Sequence, residues 1–425
     1  MWNQKLKSLL QGFLHSKDPT EIEQLFEEQT QSFLDPDATH ALNEHEVYDS
    51  TRSVDNSLSI EQLHSMNFDL PTKDTPRVNF ETSRYSAISK LGQGGMATVW
   101  QMKDSQLLRS VALKQLLKEK AESNYEQENF VVEAQITAQL QHPGIVPIHD
   151  LQVDESENVY FTMREIKGQT LDDIIASVHR VSDRRWNTTH SGWNLRRLID
   201  GLDKICQTIA YAHARGVIHQ DLKPANIMVG DYGEVLVVDW GVAKVRSLYE
   251  YNPNWVQVKA STAYLEHKRI SISGTPRYMA PEQIHGPAEG IDGRADIYAH
   301  GVILFYILTQ DKPFSGKMAE ILHHKKTQSA SIHDWLLEHP NALPIPKELV
   351  DICQRAMEFN PADRFNNAKE MHLEIQSWLD GARQEEEARR ILLEIDAVQK
   401  NIDHIEILSD KLIPALNHLS IHETT

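Results

Sequence analysis

The stretch His219-Gln220-Asp221-Leu222-Lys223-Pro224-Ala225-Asn226 constrains this chain more than any other, because it places three phosphate-directed groups in one short loop. Asp221 can accept a hydroxyl proton. Asn226, five residues on, offers an amide oxygen suited to magnesium, and Lys223 between them can face a transferring phosphate. Six positions of the pattern are restricted, each with a background frequency of roughly one in twenty. A polar loop that merely follows a helix is a poor account of it.

Companion pieces flank the loop in a set order. Upstream stand Leu91-Gly92-Gln93-Gly94-Gly95-Met96-Ala97-Thr98-Val99, then Val111-Ala112-Leu113-Lys114, then Glu133 in an apolar-periodic stretch. Downstream stand Asp239-Trp240-Gly241, Gly274-Thr275-Pro276-Arg277-Tyr278-Met279-Ala280-Pro281-Glu282, Asp296, and Arg364 within Pro361-Ala362-Asp363-Arg364-Phe365. In this order the set resembles the eukaryotic-like (Hanks-type) serine/threonine protein kinases of bacterial type, over about residues 85–380. The resemblance implies an α+β fold of two lobes. A small β-rich lobe with one helix would cover about 85–166, and a larger, mainly helical lobe about 167–380. It also implies ATP and Mg2+ as cofactors, and transfer of the γ-phosphate to Ser and Thr hydroxyls of protein substrates, the chain itself included.

Composition narrows the alternatives. A chain of 425 residues can bury a large core and hold two or three domains. Its formal charge of −18 argues against nucleic acid as a general partner, which needs clustered Lys and Arg, but not against ATP. Two cysteines, Cys206 and Cys353, both in apolar helical patterns, exclude a disulfide framework. The strongly apolar run Val302 to Leu308 is far short of the ~20 residues that a membrane span requires. The N-terminus lacks a convincing signal peptide, so the sequence predicts a cytoplasmic protein.

Along the chain, residues 1–34 carry two short helical patterns, and 35–84 read as a flexible acidic linker. Short β-rich runs follow at Ala87 to Leu91, Thr98 to Met102, Val111 to Gln115, Ile148 to Asp154 and Asn158 to Glu165. A helix over about Gln127 to Leu140 interrupts them. Helices are predicted over Leu195 to Arg215 and Arg294 to Leu308, with a polar, tryptophan-containing insertion at Arg180 to Gly192. His323-His324-Lys325-Lys326 reads as a solvated helix face, and the 21 histidines show no metal spacing. In 381–425, Ile391, Ile395, Val398, Ile402 and Ile405 alternate at spacings of four and three. That suits either a short coiled-coil seam, giving a homodimer, or a helix packed on the larger lobe.

The resemblance assigns roles residue by residue. Gly92, Gly94 and Gly95, with Leu91, Gln93, Met96 and Ala97, would cover the phosphates, Ala97 standing where the family has a third glycine. Lys114 would hold the α- and β-phosphates and pair with Glu133. Val99 and Ala112 would wall the adenine pocket, Met163 would be the gatekeeper, and Arg164 to Ile166 the hinge. Asp221 would be the base, with Lys223 and Thr275 beside it, and Asn226 and Asp239 would ligate magnesium. Glu282 and Arg364 match a buried ion pair, and Asp296 a brace for the catalytic loop. His219 would pack in the lobe core.

Two departures stand out. Gln220 replaces an arginine that in the family pairs with a phosphate on the activation segment, and a neutral amide cannot make that charge-assisted contact. Trp240 replaces the usual phenylalanine. The segment from Asp239 to Glu282 is longer than usual and holds Ser247, Tyr249, Tyr251, Ser261, Thr262, Ser271 and Ser273 as candidate phosphorylation sites. The rival function is a pseudokinase scaffold. Such scaffolds usually lack at least one of Lys114, Glu133, Asp221, Asn226 and Asp239, and all five are present here.

Overall fold

Five short β-rich runs pair into one antiparallel sheet at the start of the described residues. In the computed structural model the described residues are 84–384, apart from 154–157, 249–251, 266–273 and 287–289, with scattered helical positions as far as 399. The predicted N-terminal helices, all but Arg84 of the linker, and Val398, Ile402 and Ile405 lie outside the described residues.

The first sheet has the order β1-β2-β3-β5-β4, from β1 (Tyr85–Gln93), β2 (Ala97–Asp104), β3 (Arg109–Leu116), β4 (Ile148–Val153) and β5 (Val159–Arg164). Register places Lys114 of β3 opposite Val99 on one side and Phe161 on the other, which sets its side chain in the middle of the sheet. Asp104, wholly buried, closes the β2–β3 turn. Its carboxylate accepts two bonds from Arg84, at 2.8 and 2.7 Å, and those from the N–H groups of Gln106 and Leu107.

One long helix, α1 (Asn124–Gln139), packs on this sheet. Ser123 caps it by accepting from Glu126 N–H, and Phe130 meets Phe161 with ring centroids 4.9 Å apart. The inner face of α1, Val132 and Ile136, joins the core of the larger lobe, so the helix is shared between the two.

The larger lobe is helical: α2 (Leu171–Val181), α3 (Leu195–Ala214), α4 (Pro281–His285), α5 (Arg294–Thr309), α6 (Met318–Thr327), α7 (Ile332–Glu338), α8 (Lys347–Ala356) and a helix α9 over 368–384. Every residue of α5 from Ala295 to Leu308 is buried, as its nearly unbroken apolar sequence requires. A three-stranded sheet of β6 (Gly168–Thr170), β8 (Ile227–Gly230) and β9 (Val235–Val237), and the pair β7 (Val217–Ile218) with β10 (Lys244–Val245), flank the loop over 219–226. The 180–192 insertion is latched to the lobe, with Trp186 Nε1–H donating to the Pro344 carbonyl at 2.7 Å. Cys206 and Cys353 are buried free thiols. Among the described residues no helix is long and apolar enough to cross a membrane.

Asp296, on the first turn of α5, has no exposed surface. Its carboxylate accepts the backbone N–H groups of His219 and Gln220 and the Nε2 of His213, each at 2.8 Å. Burial works against ionisation, but the His213 hydrogen bond and its partners hold the carboxyl below the usual range. The same contacts hold Gln220 at φ = +67°, a conformation that its side chain disfavours.

The reading of His323 to Lys326 as a solvated face is corrected at Lys325, which is fully buried. Ile321 and Lys325, four residues apart, form the inward stripe of α6. The Lys325 ammonium donates to the Met279 carbonyl at 2.6 Å and stands 4.6 Å from the Tyr298 ring centroid. Burial, and then the Arg364 cation, depress its pKa to about 7 against a smaller opposing effect of Glu282.

Two measurements probe these buried charges. Asp296→Ala leaves two backbone N–H groups without acceptors, and urea unfolding should show a loss of about 3 kcal/mol. At Lys325 the unfolded chain binds more protons than the folded one between about pH 7 and 10.5, so stability rises with pH there. Melting curves at pH 6 and pH 9 should show wild type gaining on Lys325→Met, at up to about 1.4 kcal/mol per pH unit. A constant gap between the two proteins would contradict that burial.

Candidate active site

The turn between β1 and β2 is closed by Gly94 N–H donating to the Ala97 carbonyl at 2.9 Å. A Cβ built on Gly92 or Gly95 would meet nothing within 4 Å, so both face open space. Leu91 is half-exposed, whereas Ala97 is buried at the head of β2 and Ala112 is buried on β3. Met163 pairs with Ala112 across the β3–β5 ladder, and Arg164 N–H donates to the Pro147 carbonyl at 3.1 Å. Gln101 of β2 donates to Glu165 at 2.8 Å, tying the segment that includes Ile166 to the sheet. Register sets the predicted pocket residues Val99, Ala112 and Met163 on one face of the first sheet.

Beneath them Lys114 Nζ lies 2.5 Å from Glu133 Oε1 and 3.3 Å from Asp239 Oδ1. Its side chain is 16% exposed. Burial alone would lower its pKa, but the Glu133 and Asp239 carboxylates outweigh it and push it up to about 12. Lys114 is thus a permanent cation. Asp239, at φ = +66° just after β9, has a carboxylate that is still 48% exposed. Partial desolvation opposes its ionisation, yet the Lys114 cation holds it below the usual range. Lys114 is thus the charge partner of the Asp239 carboxylate. Gly241 lies so near that a Cβ there would stand 3.1 Å from Glu133 Oε2, crowding the ion pair.

The other half of the site centres on Asp221, which is 8% exposed. Its Oδ1 accepts Thr275 N–H at 2.7 Å, and its Oδ2 accepts Lys223 Nζ at 2.5 Å and Asn226 Nδ2 at 3.2 Å. Lys223 also donates to Thr275 Oγ1 at 2.8 Å. Asn226 Nδ2 donates a second time, to the Asp221 carbonyl at 2.9 Å, so its amide nitrogen is committed inward. The oxygen at the other end of the amide is then the atom that it can offer to a cation. Gly274, at φ = +120°, has no room for a side chain: a Cβ would lie 3.1 Å from the Gln220 carbonyl and 3.4 Å from Asp221 Oδ1.

The donor types suit magnesium: one anionic carboxylate on Asp239 and one amide oxygen on Asn226, both hard ligands. His219 is fully buried, with its ring 4.6 Å from Trp240. Trp240 is 1% exposed, and its indole N–H has no acceptor among the described residues. Arg364 is fully satisfied, with bonds to both Glu282 oxygens at 2.7 and 2.9 Å and to the carbonyls of Glu358, Arg294 and Phe359.

Two supporting residues had no sequence signal. His213 reaches Asp296 from 83 positions away, and Gln283 Nε2 donates to the Gln220 carbonyl at 2.9 Å while its Oε1 caps α4 through Ala280 N–H. Both contacts arise from helix packing, which local sequence does not encode.

Comparison with known proteins agrees with this geometry. Residues 85–376 match the model of the protein kinase domain. The serine/threonine-protein kinase PknD of Chlamydia trachomatis is 34% identical over 310 residues, covering 70% of this chain and 32% of that protein. The proteins of the same name from Chlamydia muridarum and Protochlamydia amoebophila are 34% and 32% identical, over 78% and 70% of this chain and 35% and 30% of theirs. The chain spans about a third of the length of these curated relatives. It belongs to the protein kinase family, among the Hanks-type serine/threonine kinases of bacterial type.

Proposed function

We propose that this chain transfers the γ-phosphate of Mg-ATP to serine and threonine hydroxyls of protein substrates, its own among them. The observation that carries the reading is the double engagement of Lys114 by Glu133 and Asp239. It brings the nucleotide-facing sheet and the strand end of the larger lobe together in one cleft with the Asp221 loop.

Each residue has a task set by its surroundings. Lys114, protonated throughout the neutral range, would hold the α- and β-phosphates. Asp221, oriented by Thr275 N–H, Lys223 and Asn226, would accept the substrate hydroxyl proton as its oxygen attacks. A new O–P bond forms, the bond from the γ-phosphorus to the bridging oxygen breaks, and ADP leaves. Lys223 would balance charge that develops on the transferring group. Asn226 and Asp239 would hold magnesium, which when bound neutralises phosphate charge and aligns the phosphates. Thr275, bonded to both Asp221 and Lys223, keeps the two in register.

The domain limits, 85–166 and 167–380 for the lobes and 381–425 for a C-terminal helix, belong to the same reading. Ile391 and Ile395 are 47% and 57% exposed, which supports pairing of that helix with a second copy rather than packing on the lobe.

Labelled γ-phosphate offered to the chain and to a generic basic protein, beside Asp221→Asn, tests the function. Wild type should incorporate label on serine or threonine, and the variant should lose at least ~100-fold. Absence of label from wild type that still binds nucleotide would overturn transfer in favour of a nucleotide-binding scaffold.

A further inference from the structure

Between Asn252 and Leu265 the segment that follows Asp239-Trp240-Gly241 runs along α1. Three backbone N–H groups at every second residue donate to side chains of that helix. Gln257 N–H donates to Gln139 Oε1 at 3.1 Å, Lys259 N–H to Gln135 Oε1 at 2.9 Å, and Ser261 N–H to Glu128 Oε1. Gln139 also returns a bond, its Nε2 donating to the Gln257 carbonyl at 2.7 Å. One side-chain amide thereby pairs with both backbone groups of a residue, as a neighbouring strand would. Ser261 Oγ adds a bond to Glu128 Oε2 at 2.7 Å.

Burial alternates with the same period. Val256 is wholly buried, and Val258 and Ala260 pack against the core, whereas Gln257, Lys259 and Ser261 are exposed. Both ends are anchored. Val256 N–H donates to the Arg215 carbonyl at 2.9 Å, and Tyr264, 2% exposed, donates to Asn129 at 3.0 Å and stacks on Tyr125 with centroids 5.4 Å apart. The extended run ends at Ser261, where the chain enters a helical turn over 262–265 and Leu265 N–H donates to the Ser261 carbonyl at 3.1 Å. The chain runs antiparallel to the helix.

Glu128, Gln135 and Gln139 form one stripe, and Glu133 lies roughly 140° round the helix from it at 100° per residue. The stripe is gripped from outside while Glu133 meets Lys114 inside the cleft. Gln220, in the catalytic loop, is a neutral side chain with no charge for a phosphate on this segment. Here two side-chain amides and the Glu128 carboxylate hold the segment's backbone.

Resting on the kinase reading above, we propose that residues 252–265 are a strap that holds α1 with Glu133 on Lys114, in place of a phosphate on the segment. Gln135 and Gln139 are its positioning residues.

Hydrogen exchange of the full chain is the direct test, because it needs no turnover and so reports even if phosphate transfer fails. In Gln135→Ala/Gln139→Ala, amides across 124–139 should exchange about tenfold faster. Alanine favours helix, so the melting temperature should stay close to that of wild type. Gln135→Glu, which keeps the acceptor for Lys259 N–H, should retain most of the protection. Where transfer is measurable, the double change should lower kcat about tenfold. In a Glu133→Gln background, where the ion pair is already lost, it should cost little more. Unchanged exchange across 124–139, or kcat losses that simply multiply in the Glu133→Gln background, would overturn the proposal.

Discussion

A carboxylate with no exposed surface, Asp296, is the point on which the catalytic loop depends. It sits on α5, whose other residues from Ala295 to Leu308 are buried and almost all apolar, where an unpaired charge would be expensive. Two backbone N–H groups and one imidazole satisfy it, and those N–H groups belong to His219 and Gln220. The core therefore reaches directly into the loop. Gln220 is held in the left-handed region, Gly274 fits against its carbonyl, and Asp221 next door receives Thr275 N–H, Lys223 and Asn226.

The second constraint joins the two lobes. Lys114 is central in the first sheet because its neighbours in register are Val99 and Phe161, and it bridges Glu133 of α1 and Asp239 of the larger lobe. Two carboxylates around one ammonium raise its pKa, so the cation is kept across the neutral range. Buried ion pairs of this kind add little stability unless every donor is met. Arg364, with bonds to Glu282 and three carbonyls, shows that requirement fulfilled.

Strand and helix positions were legible to within a few residues because β-rich and apolar runs are local features of the sequence. The predicted helices over Leu195 to Arg215 and Arg294 to Leu308 fall on Leu195–Ala214 and Arg294–Thr309. Lys325 shows where such reading stops. Its neighbours His323, His324 and Lys326 suggest solvent, yet Ile321 one turn earlier chooses the inward face, and the lysine is carried in with it. Charge alone did not reveal which face of α6 has company.

By itself the sequence, through its resemblance to the Hanks-type kinases, singled out the Asp221, Lys223 and Asn226 loop, Lys114, Glu133 and Asp239, and their order along the chain. Short motifs carry those residues intact, so the resemblance could point to them from local sequence. Tertiary structure alone decided which distant partners orient them. His213 beneath Asp296, Gln283 on the Gln220 carbonyl, and Gln135 and Gln139 on the backbone of 257–259 are contacts across 63 to 124 positions. A glutamine on a helix reads as solvent-facing in any local window. Only the packed chain puts the backbone N–H groups of 257 and 259 within its reach.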